Sequence, residues 1–176
     1  MKLVPAIRYK NEIEKYIQSI MYTDESYFMS GFKHSYTVDI PETDKEGHSF
    51  HWAVLNNSGQ LMGYISYDIE FYDSVLRNLK IISFIKGNIC IGLALQKIAQ
   101  IINEYNLNKI IIYTIDDNPI RPKYDNLCIN NHGTKYVFKE EYKDNRGNYH
   151  DLIRYDIFLK NKDLIFDISD PNKKKK

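Results

Sequence analysis

The sequence predicts a mixed α/β fold: a central, mostly antiparallel sheet with one strand–helix–strand crossover in the middle. Three observations predict it. Residues 50–70 hold two β-type runs around Asn56-Asn57-Ser58-Gly59, the turn chemistry of a hairpin. Residues 75–115 read as strand, amphipathic helix, strand, an order that implies a right-handed crossover onto the same sheet. Residues 134–159 hold two further β-type runs around Asp144-Asn145-Arg146-Gly147.

The elements follow in chain order. Lys2 to Ala6 is a short first strand. Asn11 reads as an N-cap, with Glu14 three residues on to complete a capping box. Ile13, Tyr16, Ile17, Ile20 and Met21 then form one apolar stripe on a short helix. Thr23 to Gly47 is less regular, broken by Pro41 and Gly47. A second short helix and a long loop are expected there, either a substrate cover or a plain surface connection. Phe50–Leu55 and Gln60–Glu70 form the hairpin, and Val75 to Ile85 is the next strand. A helix follows from Gly92 to Tyr105. Ile91, Leu95, Ile98, Ile102 and Tyr105 line one side, with Ala94 and Ile101 beside them. Gln96, Lys97, Gln100, Asn103 and Glu104 lie mostly on the other. Asn106 stands where a left-handed C-terminal residue is tolerated. Lys109–Ile115, almost continuously apolar, predicts a strand covered on both faces. In the last strand Ile153, Tyr155, Ile157 and Leu159 share a face.

Composition bounds the function. A chain of 176 residues is one domain by size, assigned to 1–160, with a polar extension over 161–176. Its basic run, Lys173 to Lys176, reads as a solvated tail. Hydrophobic content of 43% and charged content of 27% are those of a soluble globular protein. A net charge of +1 gives no reason to expect nucleic acid or a membrane surface as partner. No apolar run approaches the ~20 residues of a membrane helix, and "MKLVPAIRYK" lacks the apolar core of a signal peptide. Cys90 and Cys128 make neither a disulfide framework nor a zinc site. Together these features point to the cytoplasm. The histidines, at 34, 48, 51, 132 and 150, show no metal-ligand spacing, so no metal centre is expected.

The turn at Lys86-Gly87-Asn88, where a strand breaks and a helix begins, is the candidate site. A helix N-terminus supplies several N–H groups and a favourable dipole to an anion. The dipole alone is worth only ~0.3–1 kcal/mol at an exposed site, so the N–H groups carry the anchoring. The element order, from Lys2 to Leu159, resembles the GCN5-related N-acetyltransferase family. Members of that family carry Arg or Gln, two residues, Gly, one residue, Gly or Ala, and a Leu three residues later. "GNICIGLAL" lies on this pattern with Gly87 in the Arg/Gln place, Cys90 and Gly92 in the two small places, and Leu95 as the Leu. A second register puts Gly92 and Ala94 on the small places, with Ile89 for the Arg/Gln and Lys97 for the Leu. In "DDNPIRPKYDNLCINNHGTKY", Asn118 and Tyr124 match the family's Asn and Tyr at a spacing of six where the family has seven. Gly133 takes the place of the Gly that opens the next strand. The hairpin "KDNRGNYHDLIRYDIF" is similar to a poorly characterised bacterial and phage-associated branch of the family.

The resemblance implies transfer of an acetyl group from acetyl-CoA to a primary amine of an unidentified acceptor by direct attack. It also implies a fourth and a fifth strand that run parallel and splay apart, with helices on both faces of the sheet. Backbone groups of Ser83, Phe84 and Ile85 would bond the pantetheine arm. The pyrophosphate would lie on Lys86, Gly87, Asn88, Ile89, Cys90, Ile91, Gly92 and Leu93, with Asn118 also at the cofactor. Glu70, or Asp68 beside it, stands where a general base is found in the family. Tyr124 would protonate the departing thiolate; its other reading is a packed tyrosine among 15. Cys90 reads as a small loop residue, since no histidine is near it in sequence. His51 and Trp52 either line a pocket or pack in the sheet. The protein is expected to be a monomer or homodimer. A second reading is a degenerate acyl-CoA-binding or protein-interaction module with the same fold and no catalysis.

Overall fold

The computed structural model describes residues 1–21, 40, 47–85, 89–144 and 146–159. The expected helix and loop between Thr23 and Gly47 lie outside these residues except at Ile40 and Gly47. Lys86, Gly87, Asn88 and the extension after residue 160 lie outside them as well.

The described elements are β1 (Lys2–Pro5), α1 (Lys10–Met21), β2 (Ser49–Leu55), β3 (Leu61–Glu70), β4 (Val75–Ser83), α2 (Ile89–Tyr105), β5 (Lys109–Ile115), α3 (Arg121–Asn130), β6 (Thr134–Lys143) and β7 (Tyr149–Phe158). The strands form one mixed sheet in the order β1-β2-β3-β4-β5-β7-β6. β4 and β5 pair in parallel, while β1–β2, β2–β3, β5–β7 and β6–β7 pair antiparallel. The parallel register covers only Val75↔Lys109 and Leu76↔Ile110. The chain divides into two compact units. Met1–Ile69 joins Asn78–Ile98, and Glu70–Arg77 joins Ala99 and the chain beyond it.

In the first unit, Ile13 and Ile17 of α1 are buried with Ala53, Leu55, Leu61, Tyr64 and Ile82. Each such isoleucine contributes roughly 1.5–3 kcal/mol through removal from water. The capping box at Asn11 does not form. Pro5 sets φ at −53° and opens a 3-10 turn over Ala6–Tyr9 that runs straight into α1. Asn11 is therefore already inside the helix. α2 lies on the opposite face of these strands. Its Cys90 thiol donates to the Met62 carbonyl at 3.6 Å, and a Cβ on Gly63 would stand 2.5 Å from Cys90 Sγ. His51 and Trp52 lie half-buried on β2. His51 Nδ1 and the Tyr64 hydroxyl share a hydrogen bond at 2.6 Å, and Trp52 Nε1 donates to the Tyr67 hydroxyl at 3.0 Å.

In the second unit, β5 alternates rather than being covered equally on both faces. Ile110, Ile112 and Thr114 are buried while Lys109, Ile111 and Tyr113 are half-buried. α3 packs where Ile153, Tyr155 and Ile157 point, with the rings of Tyr124 and Tyr155 6.2 Å apart. Gly133 allows this closeness, because a Cβ there would meet Cys128 Sγ at 2.8 Å and the Asp156 carbonyl at 2.9 Å. The two hairpins share one turn design. Asn56 and Asp144 each accept, through a side-chain oxygen, the N–H four residues on, at 2.9 and 2.8 Å. Gly59 and Gly147 supply the left-handed residue at φ 85° and 89°.

Candidate functional site

The site begins where β4 ends. Phe84 N–H donates to the Met62 carbonyl at 2.9 Å, so the backbone of Phe84 is turned toward β3. In an antiparallel pair adjacent residues face opposite edges, and the N–H and C=O of Ser83 therefore face the other edge of β4. Phe84 N–H is consequently not available to a pantetheine arm, contrary to the expectation from sequence. The Phe84 ring stacks on Tyr16 of α1 at 4.4 Å. The Ser83 hydroxyl donates to the Ile85 carbonyl at 2.5 Å, which holds the exit of the strand.

α2 starts at Ile89, three residues before the expected Gly92. Cys90, Ile91 and Gly92 are thus helical, and Cys90 is a buried first-turn residue rather than a loop residue. The first-turn N–H groups of a helix lack intrahelical partners, whereas from the fifth position they are taken by the carbonyls four residues back. Among the described residues Ile89, Cys90, Ile91 and Gly92 have no carbonyl four residues back within the helix and offer donors at its described start, and Leu93 is the first whose N–H belongs to the helical ladder. Burial pushes the Cys90 thiol up, and a hydrogen bond with Ser83 opposes this more weakly. A buried thiol held in its neutral form is a poor nucleophile. Gly92 is exposed, and a Cβ there would meet nothing within 4 Å.

Two features of β3 and β4 were not found from sequence. Asn78, in the middle of β4, has φ 54°. A left-handed residue inside a strand interrupts its ladder, as in a bulge. It comes two residues after the last pair of the β4–β5 register. Its side chain donates to Asp68 Oδ2 at 2.6 Å, and the Ser49 hydroxyl donates to Asp68 Oδ1. The only signal in the sequence is an Asn, which tolerates the left-handed region better than most residues. Nearby Lys80 has its pKa lowered by burial, with Asp68 acting in the opposite direction.

The other expected residues belong to the second unit. Glu70, the last residue of β3, forms an ion pair with Arg77 across the Phe71–Ser74 turn. Asn118 builds the entry to α3. Its N–H donates to the Ile115 carbonyl at 3.2 Å, and its carbonyl accepts from Arg121 N–H at 2.9 Å. Its side-chain oxygen accepts from Ile120 N–H at 3.1 Å, an Asx turn. Tyr124 then lies within α3 and is buried. Burial pushes its phenol well above the ordinary value. The group stays protonated at neutral pH and is a hydrogen-bond donor there. Below it the Tyr155 hydroxyl donates to Asp125 Oδ1 at 2.9 Å, and Lys135 Nζ lies 2.6 Å from the same carboxylate.

No family model matches the chain, and no curated protein matches it. Solved structures do. A ribosomal-protein-S5-alanine acetyltransferase from Vibrio fischeri superposes with a TM-score of 0.64 at 17% identity, over 92% of this chain and 93% of the other. A ribosomal L7/L12 alpha-N-protein acetyltransferase in complex with coenzyme A gives 0.61 at 14% identity, over 86% and 89%. Spermidine N-acetyltransferase from Vibrio cholerae, in complex with CoA and spermine, gives 0.58 at 17% identity, over 92% and 96%. The chain has the fold of these N-acetyltransferases. Among the described residues no helix is long and apolar enough to cross a membrane.

Proposed function

We propose that the protein is an N-acetyltransferase that moves an acetyl group from acetyl-CoA to a primary amine by direct attack. The observation that carries this reading is the short parallel register of β4 and β5, closed after Leu76 and Ile110 and followed at once by the left-handed Asn78. It stands within a fold shared with acetyltransferases, two of them solved with coenzyme A. The first turn of α2, entered from Lys86-Gly87-Asn88, is the proposed pyrophosphate anchor. The Ser83 backbone is the proposed contact of the pantetheine arm.

Tyr124 is the proposed donor to the departing thiolate. Its support is its place in α3 after the Asn118 turn. The base is a separate matter. Glu70 is held by Arg77 and Asp68 by Ser49 and Asn78. Glu70, or Asp68 beside it, is the proposed acceptor of the amine's proton, with an ordered water as the other candidate. A protein or small-molecule amine and a monomeric or homodimeric chain in the cytoplasm complete the proposal.

The test is release of free CoA thiol from acetyl-CoA in the presence of a panel of primary amines, with wild type beside Tyr124→Phe. An active wild type and a kcat lowered ~10²–10⁴-fold in the variant are expected for loss of a general acid. Affinity for acetyl-CoA should hardly change, since the interaction is made mainly in the transition state. Tight acetyl-CoA binding with no turnover on any amine would favour the non-catalytic acyl-CoA-binding module.

A further inference from the structure

His150, the second residue of β7, lies between two turns of the second unit. Its Nε2 is 3.4 Å from Asp144 Oδ2 in the β6–β7 turn. Its Nδ1 is 3.4 Å from Asp116 Oδ1 and 3.5 Å from Asp117 Oδ2, in the turn that leaves β5. The side chain is only 13% exposed. A neutral imidazole has one donor nitrogen and one acceptor nitrogen. Here both nitrogens face carboxylates, so the neutral ring would set a lone pair against an anion on one side. Only the imidazolium carries a proton on both sides, hydrogen-bonding Asp144 Oδ2 and meeting Asp116 Oδ1, a buried oxygen with no hydrogen-bond partner among the described residues, as an ion pair. A ring nitrogen of His150 and a carboxylate oxygen from each of Asp116 and Asp117 lie within 4.8 Å of one another, and the protonated ring is itself the cation that balances the carboxylates.

The turn that His150 holds is continuous with the entry to α3. Asp116 N–H donates to the Asp151 carbonyl at 3.0 Å, Arg121 Nη1 donates to the Asp116 carbonyl at 2.5 Å, and Asn118 follows with its Asx turn. On the other side Asp144 is built into the hairpin by the N–H groups of Arg146 and Asn148, both at 2.8 Å. The neighbouring charges are otherwise committed. Asp151, next to His150 on β7, pairs with Lys139 at 2.5 Å and accepts from Glu140 N–H at 3.0 Å. Lys143 lies over the Tyr149 ring.

We propose that His150 is a proton-dependent latch, fastening the β6–β7 turn to the turn that leads into α3. It is a positioning residue for that helix. On the reading that Tyr124 is the thiolate's proton donor, the latch also makes the placement of that donor depend on pH. Burial works against the charged ring, but Asp144, Asp117 and Asp116 outweigh it and the pKa of His150 is raised. A raised folded-state value gives stabilisation that is complete below the unfolded value of about 6.5 and is lost as pH rises through the folded one. The latch therefore opens on the alkaline side.

The test uses the full chain. Nitrogen-resolved NMR of the five histidines should find His150 protonated on both ring nitrogens at a pH of about 6.5, titrating above the ordinary value. Hydrogen exchange at Arg121–Tyr124, corrected for the intrinsic pH dependence, should quicken through that same titration. Asp144→Asn keeps the turn, since Asn56 serves it in the first hairpin, and should move both transitions to lower pH. His150→Gln should leave the α3 entry fast-exchanging throughout, and His150→Arg, a permanent cation, should keep it protected with no transition. A His150 that is neutral at pH 6.5, or α3 protection that ignores its titration, overturns the latch. These readouts need no turnover, so failure of the acetyltransferase reading would leave them unchanged, and their failure would leave the Tyr124→Phe result unchanged.

Discussion

Gly63 and Gly92 show how differently one residue type can be used. At Gly63 a Cβ would lie 2.5 Å from Cys90 Sγ and 2.6 Å from the Ile82 carbonyl, so the glycine is required by the packing of α2 on the sheet. Gly63→Ala should destabilise the protein by ~1–3 kcal/mol, the usual cost of overpacking, measured by denaturant unfolding. Adding Cys90→Ala should recover only part, because the carbonyl remains. At Gly92 nothing lies within 4 Å. Gly92→Asp replaces a poor helix former and places a negative charge in the first turn, where the dipole favours it by ~0.3–1 kcal/mol. The variant should be no less stable than wild type by thermal unfolding, yet bind acetyl-CoA more weakly by calorimetry, through repulsion of the pyrophosphate. Unchanged affinity would remove the proposed anchor. The sequence pattern marks Gly92 for its small size and as the first residue of the helix, whereas the helix already runs from Ile89. Cys90 in the other small place reads as a loop residue, and only the close approach of Gly63 reveals that it points inward.

At the scale of elements, signals confined to a few neighbouring residues were the legible ones. Both hairpins and the strand Lys109–Ile115 are where turn chemistry and β-type runs put them. The end of α2 is similar. Asn106 takes φ 53°, and Leu107 N–H reaches back to the Ile102 carbonyl at 3.1 Å, which together make a Schellman ending with Leu107 buried. Asn106→Val should cost about 1–2 kcal/mol in denaturant unfolding, the price of a left-handed conformation for a residue with a full side chain, whereas Asn106→Gly should be tolerated. The starts of α1 and α2 differ from the sequence expectation for physical reasons. Pro5 commits the chain to a helical turn before Asn11 can cap anything. At α2 the apolar run Ile89-Cys90-Ile91 has no period that separates loop from first turn. The left-handed Asn78 could not be read because a single Asn in a β-type run has many uses, and its hydrogen-bond partner, the Asp68 side chain, is ten residues away in sequence.

For the whole molecule, element order was sufficient to predict the fold, since a crossover between hairpins admits few topologies. The site was less legible. Tyr124 and Asn118 are placed by pattern on α3 and its entry turn, but the engagement of Glu70 with Arg77 and of Asp68 with Ser49 and Asn78 depends on contacts that no spacing announces. At sequence identities of 14–17% to the acetyltransferases compared, the fold is proposed still to bind acyl-CoA. The direct measurement is thermal unfolding of the full chain with acetyl-CoA, beside ATP and NAD at matched concentrations. Stabilisation by acetyl-CoA that grows with concentration, reaching ~2.7 kcal/mol at a hundredfold excess over the dissociation constant, with little effect of ATP or NAD, is the predicted result. No stabilisation by acetyl-CoA, or equal stabilisation by all three, would contradict it.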